Sequence, residues 1–339
     1  MKTKITTDYH IAVRRISGTT TESQQELRQY LRDSLASQLD DNDHLIAGDL
    51  FNDFTVDTSE LLETYSIFSK WLKTSRKKLA LVRGNHDYSV RGTALSSFDL
   101  LGTILKQQFP DQVTVANEVT EWKQFVLVPH LPNNEILGLE IAKLKDVSDK
   151  VVAFHANVDN LFAADSQHSL NLTLEQIEGI LSKGNLVVCG HEHQHRRLCG
   201  NRCLVLGNTV PSSVSDCIGS PLKYAAMISG TEYELQRTWV AYENYTEVDW
   251  QDLDVSDKYQ FIRVVGNATA EESASVIKAI SQLRQRSNAY VITNAVKVEG
   301  HDMAMSTESV ENIKAFDVMA AIFAELNERE IETVKELMK

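Results

Sequence analysis

The run Lys78-Leu79-Ala80-Leu81-Val82 empties into Arg83-Gly84-Asn85-His86-Asp87. An apolar, β-prone stretch that stops at Gly-Asn-His-Asp reads as a buried strand whose tip becomes a loop. That loop sets an amide oxygen, an imidazole and a carboxylate side by side. Alone, the tetrapeptide reads equally well as a polar turn. Four other stretches repeat the arrangement, and each follows an apolar run.

Upstream, Lys4 to His10 reads as a short strand ending in Asp8-x-His10, with both side chains on one face by strand alternation. His44-Leu45-Ile46-Ala47 empties into Gly48-Asp49, where glycine permits close approach of the backbone. Downstream, Lys150 to Phe154 empties into His155, and Asn185 to Cys189 into Gly190-His191-Glu192-His193. Between these strands lie amphipathic helices over Glu22–Leu39, with leucine at every fourth position from Leu27, and over Thr58–Leu72. Ser96–Gln108, Asn133–Lys145 and Leu172–Ser182 also read as helices, the last with Thr173 as N-cap. Val113–Asn117, Trp122–Pro129 and Cys203–Asn208 read as strands. Alternating strands and helices predict an α/β layered fold, in which ligands sit beyond the carboxyl ends of the strands. All five polar clusters fall at such ends.

From about Tyr259 the character changes to a compact β-α-β unit: a strand over Tyr259–Val265, a helix over Thr269–Arg284 and a strand from Ala289. The expected division is therefore 1–250, a smaller unit over 257–300, and a helical segment over 301–339. Val310–Met338 carries apolar positions at Phe316, Met319, Ile322, Phe323 and Leu326, which fit a helix docked on its own domain or on a partner. Residues 301–339 hold 9 acidic and 4 basic side chains, so the tail is not a DNA-binding arm.

Hydrophobic content of 42% and charged content of 24% are ordinary for a globular chain. No stretch is apolar enough to span a bilayer and no signal-peptide core is present, so a cytoplasmic protein without a membrane is expected. Four cysteines form no disulfide framework, and Cys199 and Cys203 lack a second pair at zinc-finger spacing. The net charge of −13 excludes a protein that coats nucleic acid by bulk charge. It leaves room for a local basic surface, for which Arg14 and Arg15 are the candidates, and for phosphate binding through metal ions.

The candidate ligands are Asp8, His10, Asp49, Asn85, His155, His191 and His193. Imidazoles and hard oxygens without thiolates suit Mn²⁺, Fe²⁺ or Zn²⁺ rather than a structural zinc site. Two ions about 3.5–4 Å apart need a bridging carboxylate, and Asp49 is the natural one. Such a pair binds phosphate-ester oxygens and lowers the pKa of a water toward neutrality. His86, the remaining imidazole of the loop, would stabilise the phosphoryl oxygens or protonate the leaving alkoxide. His44, His130, His168, His195 and His301 read as structural or surface residues.

In that order, Asp8-x-His10, Gly48-Asp49, Gly84-Asn85-His86-Asp87, His155 and Gly190-His191-Glu192-His193 resemble the motifs of calcineurin-like metallophosphoesterases over roughly the first 210 residues. The resemblance implies two facing β-sheets flanked by helices. It also implies one ion on Asp8, His10, Asp49 and His193, and a second on Asp49, Asn85, His155 and His191, with His86 catalytic. Within that superfamily the chain resembles SbcD-type nucleases. Asp8-x-His10 lies near the start, and Gly48-Asp49-Leu50-Phe51 resembles their Gly-Asp-Leu-Phe-Asp form, with Asn52 inserted before Asp53. The β-α-β unit resembles their capping domain, and the short loops resemble phage-encoded members. This implies a Mn²⁺-dependent DNA exonuclease and endonuclease subunit that partners an SbcC-type ATPase through its C-terminal helix. It also implies a homodimer formed through Thr58–Leu72 and Ser96–Gln108. The competing readings are a small-molecule or phosphoprotein phosphoesterase and a non-catalytic metal-binding scaffold.

Overall fold

A computed structural model of the chain describes residues 2–15, 17–88, 94–160 and 170–299. The expected helix Val310–Met338 lies outside them, as do His168 and His301. The predicted two facing sheets flanked by helices are what the chain adopts. The first sheet has six strands in the order Glu232–Val240, Leu222–Ser229, Thr3–Thr6, Asp43–Ile46, Leu79–Val82, Val113–Ala116. The last four run parallel, and Leu222–Ser229 joins Thr3–Thr6 antiparallel. The second sheet runs Arg196–Leu198, Cys203–Val205, Leu186–Gly190, Val151–His155, Phe125–Val128, Thr120–Trp122.

Strand alternation explains the layering. Leu45, Ala80 and Val82 point between the sheets, where they meet Phe125, Leu127, Val151, Ala153 and Val188. Ile46, Leu79 and Leu81 point the other way, onto Leu27, Leu31 and Leu35 of helix Thr21–Gln38 and Phe68 of helix Thr58–Ser75. Val152, Phe154 and Val187 of the second sheet face Leu137 and Ile177 on its outer helices. Burial on both faces is why these strands read as continuous apolar runs. Side-chain caps set the helix starts. Thr20 and Ser23 cap each other's backbone, as do Ser96 with Asp99 and Thr173 with Gln176.

Three local expectations change. Trp122–Pro129 is not one strand: Lys123 takes a positive φ of 56°, and the chain turns there between Thr120–Trp122 and Phe125–Val128. The N-terminal strand stops at Thr6 rather than His10, for reasons given below. The hairpin Leu222–Val240 was not anticipated. Its outer strand is exposed at alternate charged positions, which weakens the apolar signal of a strand.

The β-α-β unit is present as Phe261–Val265, helix Ser273–Arg286 and Val291–Asn294, in a parallel three-stranded sheet. That sheet takes its first strand from Tyr245–Asp249, ahead of residue 250. Ile292 N–H donates to the Gly18 carbonyl at 2.8 Å, and Tyr290 stacks at 5.2 Å on Tyr30 of the first helix. Among the described residues, no helix is long and apolar enough to cross a membrane.

Candidate metal centre

The parallel pairing of Thr3–Thr6 with Asp43–Ile46 continues past both strand ends. Asp8 N–H donates to the Gly48 carbonyl (3.1 Å), His10 N–H to Asp49 (3.2 Å) and Ile11 N–H to Leu50 (2.9 Å). The two loops therefore run side by side, and their side chains are brought into one place by backbone bonds. Asp8, His10 and Asp49 hold φ values of 53°, 50° and 48°. Three non-glycine residues in the left-handed region mark stored strain of the kind found at functional sites. This is why strand alternation does not bring Asp8 and His10 together: the extended backbone has already ended.

Two glycines make room. A Cβ on Gly48, at φ 103°, would run into the imidazole of His155, and one on Gly84 would run into Asp49. Asp49 Oδ1 instead accepts the His86 N–H at 3.0 Å, tying the second motif to the third. Asp87 completes the tie from below. Its carboxylate accepts the N–H groups of Gly84 (3.0 Å), Phe51 (3.2 Å) and Leu50 (3.4 Å).

The seven expected ligands converge. Asp8, His10 and His193 place donor atoms within 4.8 Å of one another, as do Asp49, His155 and His191, and as do His10, Asp49 and His86. His10 Nε2 lies 2.9 Å from His193 Nε2. Asn85 Oδ1 lies 2.9 Å from His155 Nε2 and 2.8 Å from His191 Nδ1. Asp49 Oδ2 lies 3.3 Å from His155 Nε2 and 4.0 Å from His10 Nε2, between the two groups. His86 is exposed at the lip, its ring 4.9 Å from that of His10, with Nδ1 2.6 Å from the Asn52 carbonyl.

The donor set fits a cation. His155 Nδ1–H donates to the Ala47 carbonyl at 2.9 Å, which makes Nε2 the nitrogen that faces the oxygens of Asn85 and Asp49. A bare nitrogen there would set acceptor against acceptor in a buried site, so the arrangement calls for positive charge, as a proton or as a metal ion. Asp8 Oδ1 is buried with no hydrogen-bond partner. The charges tell the same story. Burial opposes protonation of His155, yet the neighbouring Asp49 overcomes it and pushes the imidazole up to about 9. Burial likewise opposes the charge on His193, and Asp216 pushes it up to about 9. His10 is driven down to about 3 by burial and by His193, and His191 to about 3 by burial and by His155. Burial raises Asp8, while the imidazoles around Asp49 hold it well below the carboxylate range against its burial. Two protons thus stand in where the chemistry of the donors calls for cations.

The other sequence candidates lie elsewhere. Arg14 is exposed and pairs with Asp57 at 2.7 Å, and the half-buried Arg15 donates Nε–H to the Ser212 carbonyl at 3.0 Å. His44 is buried at the opposite end of its strand. His130 is buried nearer the site, edge-on to Tyr88, and its proximity helps to lower the pKa of His191. Sequence reasoning missed Asp216, whose Oδ1 meets His193 Nδ1 at 2.7 Å, and the bracing role of Asp87. Asp87 was visible in the Gly-Asn-His-Asp loop. Asp216 follows no apolar run, and nothing in the chain around it signals a site.

Two facing sheets with clustered Asp, Asn and His donors at their carboxyl ends define a metal-dependent phosphoesterase. The chain belongs to the calcineurin-like phosphoesterase family, whose profile matches residues 1–195. No curated protein matches the chain.

Proposed function

We propose that this phosphoesterase is a Mn²⁺-dependent DNA nuclease subunit that hydrolyses phosphodiester bonds in the cytoplasm beside an SbcC-type ATPase. The observation that carries the reading is the convergence of all seven donors with His86 at the exposed lip. Asp8, His10, Asp49 and His193 would hold one ion, and Asp49, Asn85, His155 and His191 the other. When bound, the ions supply Lewis acidity toward phosphoryl oxygens and lower the pKa of a water. His86 lies beside this centre with Nδ1–H held by the Asn52 carbonyl, which leaves Nε2 to face the leaving oxygen; as the imidazolium the ring would give its Nε2 proton to that oxygen and remain as the neutral Nδ1–H form.

Three features support a nuclease over a phosphatase. The sequence keeps the Gly48-Asp49-Leu50-Phe51 form. The β-α-β unit is docked on the first helix, where a small-ester phosphatase has no need of it. The helices Thr58–Ser75 and Ser97–Gln108 pack together, with Leu62, Leu100 and Ile104 exposed on them and Leu95 exposed just before the second. That surface suits a homodimer. Arg14 and Arg15 remain the proposed DNA contacts, and the segment 301–339 the proposed ATPase contact. The net charge of −13 favours the small-molecule alternative.

The test is cleavage of end-labelled linear duplex DNA in Mn²⁺, with and without an SbcC-type partner and ATP, alongside hydrolysis of bis-p-nitrophenyl phosphate. Stepwise shortening stimulated by partner and ATP is expected. Hydrolysis of the small ester with no DNA cleavage would place the protein among the phosphatases. No bound metal and no hydrolysis would make it a scaffold.

A further inference from the structure

The clustered imidazoles are not backed alike. His155 Nδ1 leans on a neutral carbonyl, whereas His191 Nδ1 faces Asn85 Oδ1 within the centre itself. His193 Nδ1 meets a carboxylate, Asp216, at 2.7 Å. Asp216 is 5% exposed and held on every side. Its Oδ2 accepts the N–H and hydroxyl of Ser212 at 2.8 and 3.2 Å, and its own N–H donates to Ser213 Oγ at 3.1 Å. That leaves Oδ1 aimed at His193. A carboxylate only accepts, so His193 Nδ1–H donates to Asp216, and Nε2, 2.9 Å from His10 Nε2, is the nitrogen that faces the centre and would ligate a cation in place of a proton. Lys223 Nζ donates to the His193 carbonyl at 2.8 Å and fixes the same residue's backbone.

The two halves of the centre therefore differ in charge. One has Asp8, the shared Asp49 and a carboxylate-backed His193. The other has the shared Asp49, but the neutral Asn85 stands in the place of a second carboxylate. Carboxylate backing makes an imidazole a stronger donor, and each added negative charge strengthens cation binding in a buried site.

We propose that Asp216 is a positioning residue that makes the Asp8–His10–His193 half the tighter of two unequal ion sites, so that the Asn85–His155–His191 half fills second and exchanges. This rests on the two-ion reading above. The residue lies beyond the stretch that the family profile matches.

The experiment is a Mn²⁺ titration of the chelator-stripped full chain, with free ion read by electron paramagnetic resonance. The wild type should bind in two steps that differ at least tenfold. D216N should weaken the first step by about 10–100-fold and leave the second unchanged. D216E should restore part of the loss. Circular dichroism melting shows whether D216N is folded. If it is not, Asn85→Asp decides, because a carboxylate added to the weaker half should strengthen the second step and narrow the gap. Equal steps in the wild type, equal weakening of both steps in folded D216N, or an unchanged gap in N85D would overturn the inference alone. A wild type that binds no ion would overturn the proposed function with it.

Discussion

At the amino ends of the central strands Lys4, Asp40, Asp43, His44 and Lys123 pair off, while at the carboxyl ends Asp8, Asp49, Asn85 and four imidazoles face one another. Both ends hold Asp and His, and only the amino ends add lysine. At the amino ends Lys4 meets Asp40 at 2.7 Å, Lys123 meets Asp43, and His44 Nε2 meets Thr6 Oγ1 at 2.8 Å. Opposite charges close on each other there, although Lys123 turns at φ 56° and His44 Nδ1 is left without a partner. At the carboxyl ends acceptors converge on acceptors, Asp8 Oδ1 has no partner, and Asp8, His10 and Asp49 sit in the left-handed region. A cluster of Asp and His becomes a candidate site when its donors converge with no lysine among them to close the charges and several of its own residues hold the left-handed backbone that keeps them together.

The sharpest way to break this contrast is at Asp49, the carboxylate between the two groups of donors. Asp49→Ala should abolish binding of both ions and lower hydrolysis of bis-p-nitrophenyl phosphate by about 10³-fold or more, several kcal/mol of lost charge stabilisation. Retention of two ions by metal analysis would disprove the bridge. His86→Ala should separate chemistry from binding. The lip residue removes proton delivery, about 10²-fold or more in turnover, while both ions stay bound. Equal loss of metal and turnover would instead make His86 a ligand.

Much of this contrast was legible in the chain. The apolar runs ending in Gly48-Asp49, Gly84-Asn85 and Gly190-His191 show both the buried strands and the polar tips, because burial on two faces and a ligand-facing end leave a sharp boundary in the sequence. The left-handed turns at Asp8 and His10 were not legible. They arise from hydrogen bonds to Gly48 and Asp49, about forty residues away, and local alternation predicts a strand there instead. The outer hairpin strand Glu232–Val240 and the Asp216 contact were hidden for a related reason. One is half-exposed, and the other acts through a residue 23 positions upstream.

A smaller effect tests the packing that keeps the carboxyl ends strained. Gly84→Ala places a methyl group where Asp49 already lies, both its side chain and its backbone N. The loops must shift, at a cost of about 1–3 kcal/mol in urea unfolding, with weakened Mn²⁺ affinity. Unchanged stability and affinity would mean that the close approach is not needed.

The smallest effect belongs to the amino ends. His44 is buried, and burial followed by Lys4 drives its imidazole down to about 3, with Asp40 opposing. The native state thus refuses a proton that the unfolded chain accepts near pH 6.5. Below that pH the unfolded state binds more protons, so the stability His44 contributes is intact at pH 7 and is lost as pH falls toward 3. At pH 5 the loss is about 2 kcal/mol at most, or roughly 1.4 kcal/mol per pH unit. Urea unfolding of the metal-free chain at pH 7, 6 and 5 measures it, and His44→Gln should flatten the slope by that amount. The same slope in both proteins would mean that His44 takes up its proton in the folded state, and the amino-end cluster would then be less closed than its bonding indicates.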